Sequence, residues 1–332
     1  MRWRPLPLPM LLGALGLTIL ARATHYVSPP PTPNPPGSFT FAALGDAPYD
    51  SLEVRRFRLV LRDIEAHDLS WVLHIGDIFW RPCSDNHYRS TLARLNSLRH
   101  PVIYTPGDNE WTDCWEPGSG SYAPRERLAS LRQIFFAQPR QSLGSSPLPL
   151  VTQADRPPFQ EFVENVRWTY AGMMFATVHL VGSRNGLEPY PGRTKVDDEE
   201  VLRRTEAAAA WLRETFAEAV ATEASAVVLG FHGTLGLGLP TEQVEGYEPF
   251  NTALQEVVER FGKPVLAIHG DAHEFTVDQP LVHRRTKRPF PNFTRLEVPG
   301  SPDVGWVRVV ATPANAQPFA FHRSTISRWK FW

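Results

Sequence analysis

Trp71-Val72-Leu73-His74-Ile75-Gly76-Asp77 reads as an apolar run from Trp71 to Ile75, rich in β-formers, that stops at a glycine-containing turn. Such a run is expected to be a buried strand ending in a loop. The same pattern recurs on both sides. Phe39 to Leu44 leads into Gly45-Asp46, and Val102 to Tyr104 into Gly107-Asp108-Asn109-Glu110. Val227 to Phe231 leads into His232-Gly233, and Val265 to Ile268 into Gly270-Asp271-Ala272-His273. Between these runs lie helical patterns, carried by Leu52, Phe57, Leu61 and Ile64, then by Leu92, Leu95 and Leu98, then by Leu128, Leu131 and Phe135. A longer helix is expected from about Glu199 to Val220, where Ala207 to Ala210 carry high propensity and Trp211 and Phe216 supply the buried face. Leu254, Val257, Val258 and Phe261 mark another. The alternation predicts α/β architecture. Pro139 to Pro158, rich in Pro, Ser and Gly, reads as a loop or lid, and Arg295 to Val298, Trp306 to Val310 and Phe319 to His322 as late strands completing a second sheet.

The chain has 332 residues, of which 42% are hydrophobic, enough to bury a sizeable core. A net charge of -1 leaves no basic excess to attract a nucleic-acid backbone as a main partner, so any phosphate ligand must be held locally. Arg2 and Arg4 precede an apolar stretch from Met10 to Ala21, and Ala21-Arg22-Ala23 has small residues where a signal peptidase acts. Residues 1–23 are therefore expected to be a signal peptide, giving a periplasmic or secreted protein. The alternative is an uncleaved anchor tethering the chain to the outer face of the cytoplasmic membrane, although the run is shorter than the roughly 20 residues of a span. Residues 24–37, including Pro29-Pro30-Pro31, read as a stiff linker. One catalytic domain is expected over 38–332. Cys83 and Cys114 are the only cysteines, and in an exported protein the pair suggests a disulfide, with two unlinked thiols as the alternative.

The residues just past each strand carry the chemistry. In an open α/β sheet, groups at the carboxyl ends of strands converge on one crevice, so these aspartates and histidines could meet although far apart in sequence. Crowded carboxylates repel unless cations sit among them. A single Gly-Asp is an ordinary turn, but the ordered set Asp, Gly-Asp, Gly-Asp-Asn-Glu, His, Gly-Asp-x-His is far rarer.

From Phe39 to Phe275 that set resembles the calcineurin-like metallophosphoesterase family, whose pattern is Asp-x-His, Gly-Asp, Gly-Asn-His-Glu, a lone His and Gly-His-x-His. Gly107-Asp108-Asn109-Glu110-Trp111-Thr112-Asp113-Cys114 and Gly182-Ser183-Arg184-Asn185-Gly186 resemble a bacterial branch of it. The resemblance implies a sandwich of two mixed β-sheets flanked by helices and a pair of divalent metal ions. Asp77 would bridge both, Asp46 and His273 would complete one site, and Asp108, His232 and Asp271 the other. It further implies hydrolysis of a small phosphate ester, a phosphomonoester or phosphodiester, by a metal-bridging hydroxide, with no protein nucleophile and no protein partner.

Departures from the pattern shape further expectations. Pro48 stands where the family has a metal-binding His, so water, substrate or Tyr49 must fill that place. Trp80 stands where the purple acid phosphatase branch has its iron-binding Tyr, so a charge-transfer diiron site is not expected. Asp108 and Asp271 replace Asn and His, making the second site harder and favouring Mn, Fe(II) or Mg over Zn. Asn109 takes the place of the catalytic His and can donate a hydrogen bond but not a proton, which predicts slow turnover or a good leaving group. His74 and His269 precede Gly76-Asp77 and Gly270-Asp271, and strand alternation would turn at least one toward the metals; His74 and Asn109 are the catalytic candidates. Cys83 and Cys114 each lie six residues after a ligand aspartate, so a bridge between them would brace the metal-site loops. The alternative function is a weakly active or inactive metal- or ligand-binding protein on the same fold.

Overall fold

The computed structural model describes residues 34–237, 245–283 and 285–326. The expected leader, most of the Pro-rich stretch and the last residues lie outside them, so the expectations placed on 1–33 fall outside the described residues.

Alternation along β1 (Phe39–Leu44) sends Phe39, Phe41 and Ala43 into one apolar layer and Ala42 and Leu44 to the opposite face, and every residue of the strand is buried. β1 runs parallel to β2 (Val72–His74), and β2 runs parallel to β3 (Val102–Tyr104). On its other side β1 pairs antiparallel with β11 (Gly305–Ala311), which carries β12 (Phe319–Thr325) as the outer strand. The second sheet has the order β4 (Val151–Thr152), β5 (Val166–Tyr170), β6 (Met173–Thr177), β7 (Val227–Gly230), β8 (Val265–His269), β10 (Phe293–Glu297), β9 (Thr276–Asp278). Strands β6, β7, β8 and β10 are parallel.

The expected α/β sandwich of two mixed sheets is the fold observed, with one redistribution. The five strands with chemistry at their tips do not share a sheet: β1, β2 and β3 belong to the first, β7 and β8 to the second. The late strands are divided as well. Arg295 to Val298 joins β8 in the second sheet, whereas Trp306 to Val310 and Phe319 to His322 extend the first. The hairpin β5–β6 turns through Ala171 and Gly172, both at positive φ.

The sheets meet face to face through Phe41, Trp71, Ile75, Phe175, Val228, Leu266, Ile268 and Val307. Trp71 is fully buried and stacks on Phe41 with ring centroids 5.1 Å apart. The outer face of the second sheet is covered by α5 (Lys195–Ala221) and α6 (Glu248–Phe261), which seat Trp211, Phe216, Leu254 and Val258 on Val227, Leu229 and Ala267. Each interior Leu, Val or Phe contributes about 1.5–3 kcal/mol by leaving water. α1 (Ser51–Glu65) starts at Asp50, whose carboxylate accepts the N–H groups of Leu52 (2.8 Å) and Glu53 (2.7 Å). α3 (Pro124–Phe135) packs beside β3 through Phe135 on Tyr104, and α2 (Asp85–Asn96) packs against α3. The stretch 139–158 pads the edge of β3, where Leu143 pairs with Val102, and delivers Leu150 to the inter-sheet core.

Candidate metal centre

The carboxyl ends of β1, β2, β3, β7 and β8 open at one rim of the sandwich, and backbone bonds lock their loops together. Asp46 N–H donates to the Gly76 carbonyl (3.2 Å) and Gly270 N–H to the His232 carbonyl (3.1 Å). All six expected ligands meet there. His232 Nε2 lies 2.8 Å from Asp108 Oδ1, 3.4 Å from Asp77 Oδ1 and 3.8 Å from Asp271 Oδ1. His232 Nδ1 is 3.9 Å, and His273 Nε2 3.8 Å, from Asp46 Oδ1. Two groups have donor atoms all within 4.8 Å of one another: Asp46, Asp77 and His232, and Asp108, His232 and Asp271. His273 stands beside the first group, on the Asp46 side.

These groups could hold metal, and the chemistry of the donor atoms fits one. His232 Nδ1 faces the Ile75 carbonyl at 2.9 Å and His273 Nδ1 the Ser301 carbonyl at 2.9 Å. A carbonyl can only accept, so each Nδ1 carries the proton and each Nε2 turns a lone pair inward. His232 Nε2, Asp108 Oδ1 and Asp46 Oδ2 are buried without a hydrogen-bond partner. His232 Nε2 and Asp108 Oδ1 are close yet misaligned for a bond, as expected of two atoms facing a third. Unpaired buried polar atoms are costly, and a cation satisfies them together.

Electrostatics without a cation point the same way. Burial raises the Asp46 and Asp77 carboxyls above the usual carboxylate range, Asp77 strongly, and burial with Asp108 nearby brings Asp271 to about 6. Burial disfavours a charged His232, but Asp77, Asp108 and Asp46 outweigh it and hold the imidazolium far above its ordinary range. One proton is a poor substitute for the positive charge four carboxylates call for.

The backbone is strained at this rim. Asp46 (φ 54°), Asp77 (52°), Asp271 (76°) and His273 (67°) all occupy the left-handed region, which is unfavourable for side chains other than glycine. Beside them, the single turn α4 (Gly182–Gly186) carries Ser183, Arg184 and Asn185 in successive left-handed conformations. A Cβ on Gly182 would fall 2.2 Å from Asp271 Oδ1, so only glycine lets the turn approach so closely. Ser183 donates from Oγ to Asp108 Oδ2 (2.9 Å) and lies 3.1 Å from both oxygens of Asp113. Burial, with Asp108 adjacent, pushes the Asp113 carboxyl to about 7.

Asn109 joins the cluster, donating from Nδ2 to Asp77 Oδ2 and, at 3.0 Å, to the Tyr49 hydroxyl. His74 does not. Leu73 and Ile75 point into the sandwich, so alternation turns His74 to the other face, with its ring 6.3 Å from those of Phe57 and Tyr104 and both nitrogens unpartnered. Burial drives its pKa down to about 3, leaving it neutral. His269 is stacked on Phe231, 5.7 Å away, with Nδ1 beside the Gly270 carbonyl. His179 is bonded to buried Glu164 (2.7 Å), and His87 stacks on Phe79. Cys83 and Cys114 form a disulfide with Cα atoms 5.8 Å apart, joining the loops that follow β2 and β3.

Several supporting residues are not marked by the sequence pattern. Glu110 stands out there only as the end of a motif, but its carboxylate ties three groups together: Ile78 N–H (2.8 Å), Gly107 N–H (3.0 Å) and Tyr104 O–H (3.1 Å). Glu53, on the first turn of α1, accepts Tyr49 N–H (2.8 Å) and Ser301 O–H (2.7 Å). Asp113 and Ser183 belong to the two branch motifs, yet nothing in their spacing marks them as neighbours.

No family model and no curated protein matches the chain. Among solved structures it is similar to PhoD, with a TM-score of 0.56 at 12% identity over 90% of this chain and 73% of that one. A 5'-nucleotidase from Candida albicans SC5314 aligns with a TM-score of 0.44 at 11% identity over 86% of this chain and 50% of that one. A phosphatase from Mycoplasma pneumoniae aligns with 0.41 at 12% identity over 87% and 93%. The likeness to PhoD establishes a shared fold, a sandwich of two mixed sheets flanked by helices as the sequence resemblance implied.

Proposed function

We propose that the chain is an exported metal-dependent phosphoesterase that hydrolyses phosphomonoesters or phosphodiesters at the rim where β1, β2, β3, β7 and β8 end. The observation carrying this reading is the convergence of Asp46, Asp77, Asp108, His232, Asp271 and His273, with two Nε2 lone pairs and unpaired carboxylate oxygens turned to a common centre. Two divalent ions bound there, Mn, Fe or Mg rather than Zn, would supply Lewis acidity toward a phosphoryl oxygen and a water acidic enough to ionise near neutrality.

The chain's own groups do the rest. Asp77 lies between the two groups of donors, with Oδ1 toward His232 and Oδ2 toward Tyr49 and Asn109. The side chains of Asp271 and His273 are 24% and 29% exposed while those of Asp46 and His232 are sealed, so a substrate enters over Asp271 and His273. Asn109 would turn one Nδ2 hydrogen from Tyr49 or Asp77 to a phosphoryl oxygen and stabilise charge developing there. It cannot protonate a leaving group, and aryl phosphates should outpace alkyl phosphates. Export is supported by the Cys83–Cys114 disulfide and by the expected leader. Among the described residues no helix is long and apolar enough to cross a membrane.

Metal-stripped protein, reloaded separately with Mn, Fe and Mg, should hydrolyse an aryl phosphate, and Asp77→Asn should not. Asn109 favours one second reading, a metal-binding protein without turnover. A metal-loaded chain inert across mono- and diesters would select it.

A further inference from the structure

Pro48, two residues after Asp46, offers no donor to the metal position framed by Asp46, Asp77 and His273. The structure brings an oxygen to that position from the next residue. Tyr49 Oη donates to Asp77 Oδ2, accepts from Asn109 Nδ2 at 3.0 Å and lies 3.3 Å from His273 Nε2. Its one proton is committed to Asp77, and the His273 ring proton is committed on Nδ1 to the Ser301 carbonyl. The phenolic oxygen and Nε2 therefore face each other with no hydrogen between them.

Tyr49 is also held in place. Its backbone N–H is fixed by Glu53 Oε2 (2.8 Å), and Glu53 Oε1 takes the hydroxyl of Ser301, whose carbonyl orients His273. One buried carboxylate thus sets both Tyr49 and His273. The phenol ring packs edge-on against the His273 ring, centroids 5.2 Å apart, and against Trp80 at 5.1 Å.

We infer that Tyr49 is a protein ligand of the first metal position, completing a set of two carboxylates, one phenolate and one imidazole that accepts a ferric ion. This rests on the metal-centre reading proposed above, with a ferric ion in place of a divalent one at this position. On coordination the phenol O–H bond breaks, its proton passes to solvent and an oxygen–metal bond forms, with no change of oxidation state. Three hard, anionic oxygens favour Fe(III) over softer or less charged ions. A phenolate bound to ferric iron absorbs visible light, so a charge-transfer band is expected even though Trp80 offers no phenolate.

The test uses the full chain, stripped of metal and reloaded separately with Fe(III) and Mn(II), with metal content and visible absorption measured for wild type, Tyr49→Phe, Tyr49→His and Asp77→Asn. Wild type should bind Fe(III) and develop a visible band. Tyr49→Phe should lose the band and bind the first ion at least about tenfold more weakly, while its second site still takes Mn(II). Tyr49→His should regain first-site affinity without the band, separating lost ligation from misfolding. Bound Fe(III) without a band in wild type, a band persisting in Tyr49→Phe, or uptake of Mn(II) with refusal of Fe(III) each overturns the role of Tyr49 and leaves the metal centre standing. Wild type that binds neither ion, or Asp77→Asn that binds both as wild type does, overturns the metal-centre reading and this inference together.

Discussion

His232 donates its Nδ1 proton to the carbonyl of Ile75 at 2.9 Å, so a residue at the end of β7 in the second sheet is pinned to the end of β2 in the first. One ring nitrogen bridges the sandwich and the other faces the carboxylates of Asp77, Asp108 and Asp271. His232→Ala should therefore cost metal affinity by more than about tenfold and stability by about 1–3 kcal/mol through the unpaired Ile75 carbonyl. Metal analysis after dialysis and denaturant unfolding of metal-free protein measure the two effects separately. Wild-type metal retention in the variant would count against His232 as a ligand.

Glu110 holds the neighbouring seam. Its two oxygens serve Ile78, Gly107 and Tyr104, all donors, in a fully buried setting. Glu110→Gln replaces one acceptor oxygen by an NH2 group facing donors. A loss of about 2–4 kcal/mol is expected in thermal or denaturant unfolding, with weaker metal binding because Asp77 directly precedes Ile78. Unchanged stability would show that the three donors find other acceptors.

The Cys83–Cys114 disulfide closes a loop of sequence separation 31 across the two ligand-bearing loops. Removing it by Cys83→Ser with Cys114→Ser should lower stability by about 2–4 kcal/mol. Reductant should do the same to wild type and leave the double variant unaffected, a comparison that a pair of melting curves settles.

The tips of the buried strands were legible because short apolar runs that each lead into Asp or His beside a glycine recur in an ordered set, and β1 and β3 start and stop where the pattern does. Sharing between sheets was not legible. β7 and β8 look like β1 and β2 in sequence, and only long-range packing on α5 and α6 assigns them elsewhere. The left-handed backbone at Asp46, Asp77, Asp271 and His273 was hidden too, since aspartate and histidine enter that region more often than most residues but still only in a minority of places. His74 misled because alternation allows either face, and the side chains of Leu73 and Ile75, larger and wholly apolar, claimed the interior.

Away from the metal centre, buried Glu164 is held by Arg132, with contacts of 2.6 and 3.0 Å, and by His179 at 2.7 Å. Burial raises its carboxyl, but Arg132 and His179 prevail and bring it down to about 2. A depressed folded pKa means its stabilisation is present above the unfolded value, about 4.3, and is lost as pH falls from there through about 2. Glu164→Gln should be destabilised by roughly 3–5 kcal/mol at neutral pH, and the gap from wild type should narrow below about pH 4. Parallel unfolding curves from pH 7 to 3 test this, and a gap that stays constant would mean Glu164 acts by packing instead of charge.

Gly182 supplies a geometric test of the second metal position. A methyl group there would sit 2.2 Å from Asp271 Oδ1 and 2.7 Å from Asp108 Oδ1, so Gly182→Ala must displace at least one of these carboxylates. Gly172 is the control: it has positive φ, and a Cβ on it would meet nothing within 4 Å, so Gly172→Ala should cost only about 1 kcal/mol of backbone strain. Both variants should lose some thermal stability, but only Gly182→Ala should bind the second ion at least about tenfold more weakly, while the first site proposed on Asp46, Asp77 and His273 keeps its affinity. Calorimetric titration of each metal-free variant resolves the two sites. Equal metal binding by Gly182→Ala and wild type would mean that Asp108 and Asp271 tolerate the shift and are not held to a ligand geometry.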